Sequence, residues 1–390
     1  MIPAVLPTYA RNDLTFERGE GAYLFATNGK KYLDFASGVA VTALGHAHPH
    51  LVAALTEQAQ KLWHCSNLFQ IAGQHKLAER FVKTSFADTA FFCNSGAEAV
   101  EGAIKMARKY HAETGHPEKY RLIACNGSFH GRTLATLAAA GNEKYLKGFG
   151  PPAPGFDHVP FGNLNEMRAA VTKETAGILV EPVQGEGGLA VAPEGYLKGL
   201  RDICDEFGLL LVYDEVQSGM GRTGKLFAHE WEGVPPDVLA TAKGLGGGFP
   251  VGAVLATERA AIGMTAGSHG STFGGNPLAM AVANAVLDVM LADGFFANVE
   301  RMAGLLRTRL AALVAKFPKV FAQVRGKGLL TGLKCVVPNT EMVDRLRQGG
   351  LLTVGAGENV VRLLPPLIIG ERQVDEAMGV IEGVARQWTQ

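Results

Sequence analysis

At 390 residues the chain is too long for one simple core and points to about two domains. Its 37 Lys and Arg balance 37 Asp and Glu, so there is no basic excess to hold nucleic acid or an anionic membrane surface. Hydrophobic residues make up 47% but never form the run of ~18 that spans a bilayer, so a soluble cytoplasmic protein without membrane or nucleic-acid partners is expected.

The opening MIPAVLPTYARND lacks the basic stretch and long apolar run of a secretory leader. AYLFATNGKKYLDFA then reads as a hairpin turning at Asn28-Gly29. GHAHPH places His46, His48 and His50 at alternate positions, but Pro49 breaks any regular strand and no acidic or cysteine set accompanies them, so no metal is expected. Cys65, Cys93, Cys125, Cys204 and Cys335 are scattered without a CxxC pair and read as reduced, mostly buried residues.

Short apolar runs of strand type fill the middle: TAFFC (89–93), RLIAC (121–125), AGILV (176–180), LLLVY (209–213), DVLAT (237–241) and GAVLA (252–256). EAVEGAIKMARKYHAE follows the first with apolar residues at helical spacing. EGYLKGLRDICDEF precedes LLLVY, with Pro193 near its start. Apolar strands interleaved with amphipathic helices indicate a mainly parallel sheet covered on both faces. After about residue 275 come two helical segments (278–292 and 295–316) divided by Asp293-Gly294, with Pro318 stopping the second. Strand-like GLLTGLKCVV, LLTV and VVRLL follow, and a last helix starts near Glu371. The expected division is a large α/β domain over 47–285 and a smaller α+β domain built from 1–46 and 286–390.

Lys243, in TAKGLGGGFPVGA, stands just past a buried strand. Gly244, Gly246, Gly247 and Gly248 remove side chains beside it, so a flat cofactor can approach the backbone. Alone it is equally a surface lysine of a flexible loop. Asp214 lies at the carboxyl end of LLLVY, where open α/β sheets gather ligands, and a buried carboxylate there can keep a pyridinium protonated; the plain alternative is a cap. NSGAEAVEGAIK sets Ser95, Gly96 and Ala97 between a strand end and a helix start, an anion site and also a capping box with Glu98. SFHGRT supplies a flat face in Phe129 and a guanidinium fork for a carboxylate in Arg132. EPVQGEGG brings Glu181 and Glu186 to another strand end, and STFGGNP offers the hydroxyls of Ser271 and Thr272. Arg362 sits in the apolar NVVRLLPP, where it needs a partner, functional or merely structural. GMGRTG (219–224) imitates a dinucleotide fingerprint, yet five residues separate it from the strand. The same segment fits GxxxxGK, but Leu226 stands where a P-loop needs Ser or Thr. A nucleotide-binding switch is the rival class.

In chain order NSGAEA, FHGRT, EPVQGEGG, Asp214 with Glu215-Val216-Gln217, Lys243 and STFGGNP resemble the class III pyridoxal-phosphate-dependent aminotransferases over nearly the whole chain. The resemblance implies a fold-type I transferase with a seven-stranded, mainly parallel sheet, and a homodimer with sites at the subunit boundary. It implies pyridoxal 5′-phosphate linked to Lys243, its ring nitrogen at Asp214, its ring on Phe129 and its phenolic oxygen near Gln217. The phosphate would lie at Ser95, Gly96 and Ala97, reached by Thr272 of the other subunit. Within the class, FASGVAVTALGHAHP and the Arg132/Arg362 pair most resemble members acting on N2-acetyl-L-ornithine. Arg132 and Ser271 would meet that donor, and Arg362 would take a carboxylate of glutamate or 2-oxoglutarate, with Glu186 covering it otherwise. Succinylornithine, succinyl-diaminopimelate, ornithine and 4-aminobutyrate are the rival donors.

Overall fold

The protein is described here by a computed structural model covering residues 2–388. Its main sheet has seven strands in the spatial order Thr89–Cys93, Gly252–Ala256, Val238–Thr241, Leu210–Asp214, Thr175–Val180, Arg121–Cys125 and Phe156–Val159. Only Gly252–Ala256 runs against its neighbours. The remaining pairings are parallel.

The period of two along these strands divides the interior. Leu211 and Tyr213 share a core with Leu197, Leu200 and Ile203 of the helix Tyr196–Phe207. Leu210 and Val212 pack on the opposite face with Val100, Ile104 and Ala107 of the helix Gly96–Glu113. Both faces are covered, which is why the strands are continuously apolar. The exception is Phe156–Val159, an edge strand of sequence FDHV whose adjacent Asp157 and His158 hide it from a search for apolar runs.

The expected hairpin forms from Tyr23–Ala26 and Lys31–Asp34, with Gly29 at φ 81° and the Asn28 side chain accepting from the Lys30 amide at 3.0 Å. Leu351–Leu352 adds to it in parallel, joining the two chain ends. Phe321–Lys327, Leu330–Cys335, Val360–Leu363 and Val354–Ala356 form a separate antiparallel sheet. Helix Pro277–Met290 starts at a proline after an Asn276 cap and turns 71° into Phe295–Lys316, with Gly294 at φ 83° between them. Among the described residues no single helix is long and apolar enough to cross a membrane.

After Asp214 the chain runs through turns as far as Phe227, so GMGRTG opens no helix and lacks the context a dinucleotide fingerprint requires. The fully buried Glu215 carboxylate organises the segment. It accepts from the Ser218 hydroxyl at 3.1 Å, from the Ala228 and His229 amides at 2.6 and 3.0 Å, and from the His229 ring at 2.9 Å. The histidine triplet is also dispersed: His46 pairs with Asp34, and His50 reaches Asp288.

Candidate active site

The carboxyl ends of the parallel strands converge on one cavity of about 410 Å³. Ser95, Gly96 and Ala97 line it after Cys93, Phe129 and Arg132 after Cys125, Glu181 after Val180, Asp214 and Gln217 at the central strand, and Lys243 after Thr241. Eight of the expected site residues thus meet here, and Glu186 and Arg362 join them through Gln217.

Lys243 follows a strand that is buried throughout and adopts φ 43°, a left-handed conformation that a side chain makes costly. The surrounding structure holds that strain and aims the amine into the cavity. Burial pushes the ammonium below the usual lysine range. Glu186, Asp214 and Glu181 pull it back upward, while Arg362 adds repulsion that lowers it further.

Asp214 is 3% exposed. One carboxylate oxygen accepts from the Val216 amide at 3.0 Å, and the other meets His130 Nδ1 at 2.8 Å. His130 is a site residue that sequence reading missed; it lies beside Phe129, and its signal is its place inside FHGRT just after a strand end. Glu181, noted in the sequence without a role, accepts from the Phe129 amide at 3.0 Å and the Gly185 amide at 3.4 Å. Burial, then repulsion from Asp214, holds its carboxyl well above the ordinary range.

At the start of helix Gly96–Glu113, Ser95 Oγ accepts from the Glu98 amide at 3.2 Å. The Glu98 carboxylate reaches back to the Asn94 amide at 2.6 Å, one residue short of the capping box expected with Ser95. A Cβ on Gly96 would lie 2.6 Å from the Val216 side chain, so glycine is needed for the helix start to approach the Asp214 loop. The helix N-terminus presents backbone donors and a positive dipole end to the cavity.

Arg362 is 1% exposed, with acceptors on both Nη atoms and none on Nε. Glu186 grips it bidentately at 2.6 and 3.0 Å, Gln217 accepts at 3.1 Å, and the Gly185 and Gly355 carbonyls accept at 3.3 and 3.0 Å. Arg132 differs. It is exposed, makes no ion pair among the described residues, and lies over the Tyr145 ring at 3.8 Å. Ser271 and Thr272 are not brought to Lys243 within one chain. They line an adjoining cavity with His269 and Phe273, sharing Asn94 with the first, and Ser271 Oγ accepts from Asn94 Nδ2 at 3.1 Å.

The aminotransferase class-III family profile matches residues 7–384. The chain belongs to that family. It is 62% identical to acetylornithine aminotransferase 1 of Bradyrhizobium diazoefficiens over 97% of this chain and 94% of the relative. The N-acetylornithine aminotransferase structure from Stenotrophomonas maltophilia superposes with a TM-score of 0.86 at 40% identity, covering 98% of each chain. An ornithine aminotransferase structure from Toxoplasma gondii, described with partial occupancy of pyridoxal phosphate at its active site, gives 0.93 at 33% identity over 98% of this chain and 92% of that one. The class III aminotransferase fold and its cofactor class, pyridoxal 5′-phosphate, therefore hold for this chain. The cavity fits that group on its own chemistry: a lysine amine, an oriented buried carboxylate, a flat aromatic wall and a helix N-terminus for an anion.

Proposed function

We propose that this aminotransferase moves the terminal amino group of N2-acetyl-L-ornithine to 2-oxoglutarate, forming glutamate, in cytoplasmic arginine biosynthesis. The carrying observation is the Arg362–Glu186 pair beside Lys243, with Arg132 left unpaired at the cavity wall. A donor with one distal carboxylate needs one free guanidinium. A diacid needs a second, and Glu186, whose side chain is 29% exposed, is the neutralising group that can leave.

In this reading Lys243 carries pyridoxal 5′-phosphate, Asp214 meets the ring nitrogen, Phe129 and Gln217 border the ring, and Ser95, Gly96 and Ala97 hold the phosphate. The cofactor supplies an aldehyde that binds amines and a ring that accepts an electron pair. His130 and the Val216 amide fix the Asp214 carboxylate so that it stays aimed at one atom. The Lys243 amine, with its proton affinity reduced by burial, would be the base that takes and returns the proton at the donor's terminal carbon. Arg132 orients the donor carboxylate; Arg362 receives a carboxylate of 2-oxoglutarate or glutamate once Glu186 swings away.

Ser271 and Thr272 serve the cavity of a second copy in this proposal, making the working unit a homodimer. Support comes from the exposed Trp63, Leu68, Phe69 and Phe273, an apolar surface adjoining those hydroxyls. Residues 47–285 act as the cofactor-binding domain, and 1–46 with 286–390 as the smaller one. A donor panel with 2-oxoglutarate as acceptor tests the reading. Acetylornithine should lead; a preference for ornithine or 4-aminobutyrate would overturn it.

A further inference from the structure

Arg132 and Tyr145 stand 13 positions apart and meet because of a local reversal of the chain. Thr133 caps the short helix Leu134–Ala140, its amide donating to Thr136 Oγ1 at 3.0 Å and its hydroxyl to Glu101 at 2.6 Å. Gly141 ends that helix at φ 64°. A Cβ there would lie 2.5 Å from the His158 ring, whose Nε2 meets the Ala138 and Ala139 carbonyls at 3.1 Å each. Asn142 then caps a single turn, Glu143–Leu146, its side chain accepting from the Lys144 amide at 3.1 Å. That turn carries Tyr145 back over the start of the first helix. The Arg132 guanidinium carbon sits 3.8 Å from the Tyr145 ring centroid, and the Phe129 ring meets Tyr145 edge-on at 6.3 Å and 88°.

We propose that Tyr145 is a positioning and specificity residue: its ring face holds Arg132 extended toward the cavity for the distal carboxylate of the substrate. An exposed arginine otherwise spreads over many rotamers and must be ordered at each binding event. Stacking on an aromatic face removes that disorder without consuming the guanidinium's in-plane donors, which a carboxylate partner would occupy. Arg132 has no such partner among the described residues, so its fork stays available. The edge contact with Phe129 fixes the platform against the wall assigned to the cofactor ring.

The proposal rests on Arg132 as the carboxylate site, and the test separates the two. N-acetyl-1,4-diaminobutane is N2-acetyl-L-ornithine without its carboxylate, so the ratio of kcat/KM for the two donors isolates carboxylate recognition. Tyr145→Ala should lower that ratio by roughly 3- to 10-fold through KM for acetylornithine. Tyr145→Phe keeps the ring face and should keep the ratio within about twofold of wild type. Should the alanine variant not fold, Tyr145→Leu removes the aromatic face at similar volume and carries the same expectation. Equal losses for both donors, or a Tyr145→Phe defect matching that of alanine, would overturn the platform. In Arg132→Ala the ratio should collapse, and adding Tyr145→Ala should change it no further. An unchanged ratio in Arg132→Ala defeats the carboxylate reading of Arg132 and the platform with it. A collapsed ratio there with a silent Tyr145→Ala defeats the platform alone.

Discussion

Among the described residues two arginines are wholly buried, and they are held differently. Arg362, joined to the Lys243 cavity through Gln217, is gripped by a carboxylate whose own side chain is partly exposed. Arg222, in the loop after Asp214, has no carboxylate partner among the described residues. Its Nη1 donates to the Leu329 and Pro365 carbonyls at 3.2 and 2.6 Å, and its Nη2 finds no acceptor. Burial pulls that guanidinium down to about 9, which still leaves it charged at neutral pH. Backbone carbonyls cannot leave, so Arg222 is a fixed rivet between the loop and the antiparallel sheet. The approach is close enough that a Cβ on Gly328 would meet Thr223 backbone at 2.4 Å. In the proposed function the partly exposed Glu186 carboxylate leaves, which makes its pairing with Arg362 reversible. A buried charge used for binding is recognised by a partner that can be exchanged.

The largest expected effect separates these roles at Arg362. Arg362→Ala should impair the 2-oxoglutarate half-reaction by about 2–5 kcal/mol, the usual consequence of truncating a buried charge pair, and the acetylornithine half-reaction far less. Single-turnover spectra of each half-reaction measure this, and equal losses would reduce the pair to a structural one. Arg222→Ala should act on stability, by about 2–4 kcal/mol, because two carbonyls lose their donor and a large side chain leaves a void. Thermal unfolding reads it; a shift in donor preference without a fall in Tm would erase the distinction. Glu186→Ala comes next. It should leave glutamate as good a donor as before or better and cost acetylornithine about 1–2 kcal/mol, because Arg362 then stands uncovered.

The smallest effect concerns Glu181, a buried acid that forms no ion pair among the described residues and feels only a weaker downward pull from Lys243. Its folded pKa is raised by burial and by Asp214, so the native state keeps a proton that the unfolded chain has already released. Stability from this group is therefore full below the unfolded value and falls as pH rises toward the raised one. Glu181→Gln should flatten that decline in the cofactor-free protein, changing Tm by about 1–2 °C between about pH 5 and 7. Parallel Tm–pH curves would contradict it.

What could be read from the sequence follows the same physics. Leu210–Asp214 and its parallel neighbours announce themselves because both faces are buried, and their ends locate Lys243, Asp214 and Glu181. Phe156–Val159 and Phe321–Lys327 escape a search for apolar runs because FDHV and FAQVRGK are interrupted by polar and charged residues. His130 was hidden because its partner, Asp214, is 84 residues away, and no local spacing encodes that meeting. Tyr145 was hidden by the Gly141 reversal, which looks like any helix end. The motif order named Ser271 and Thr272, but one chain alone sets them in a neighbouring cavity.

In the proposed function Lys243 bears the cofactor in the cavity beneath these strand ends. Borohydride reduction of the protein saturated with pyridoxal 5′-phosphate, followed by peptide mass spectrometry, tests it most directly. The pyridoxyl mass should fall on the peptide containing Lys243, and Lys243→Ala should bind the cofactor without covalent attachment and lose nearly all turnover. Label on another lysine, or an unchanged visible band in Lys243→Ala, would contradict it.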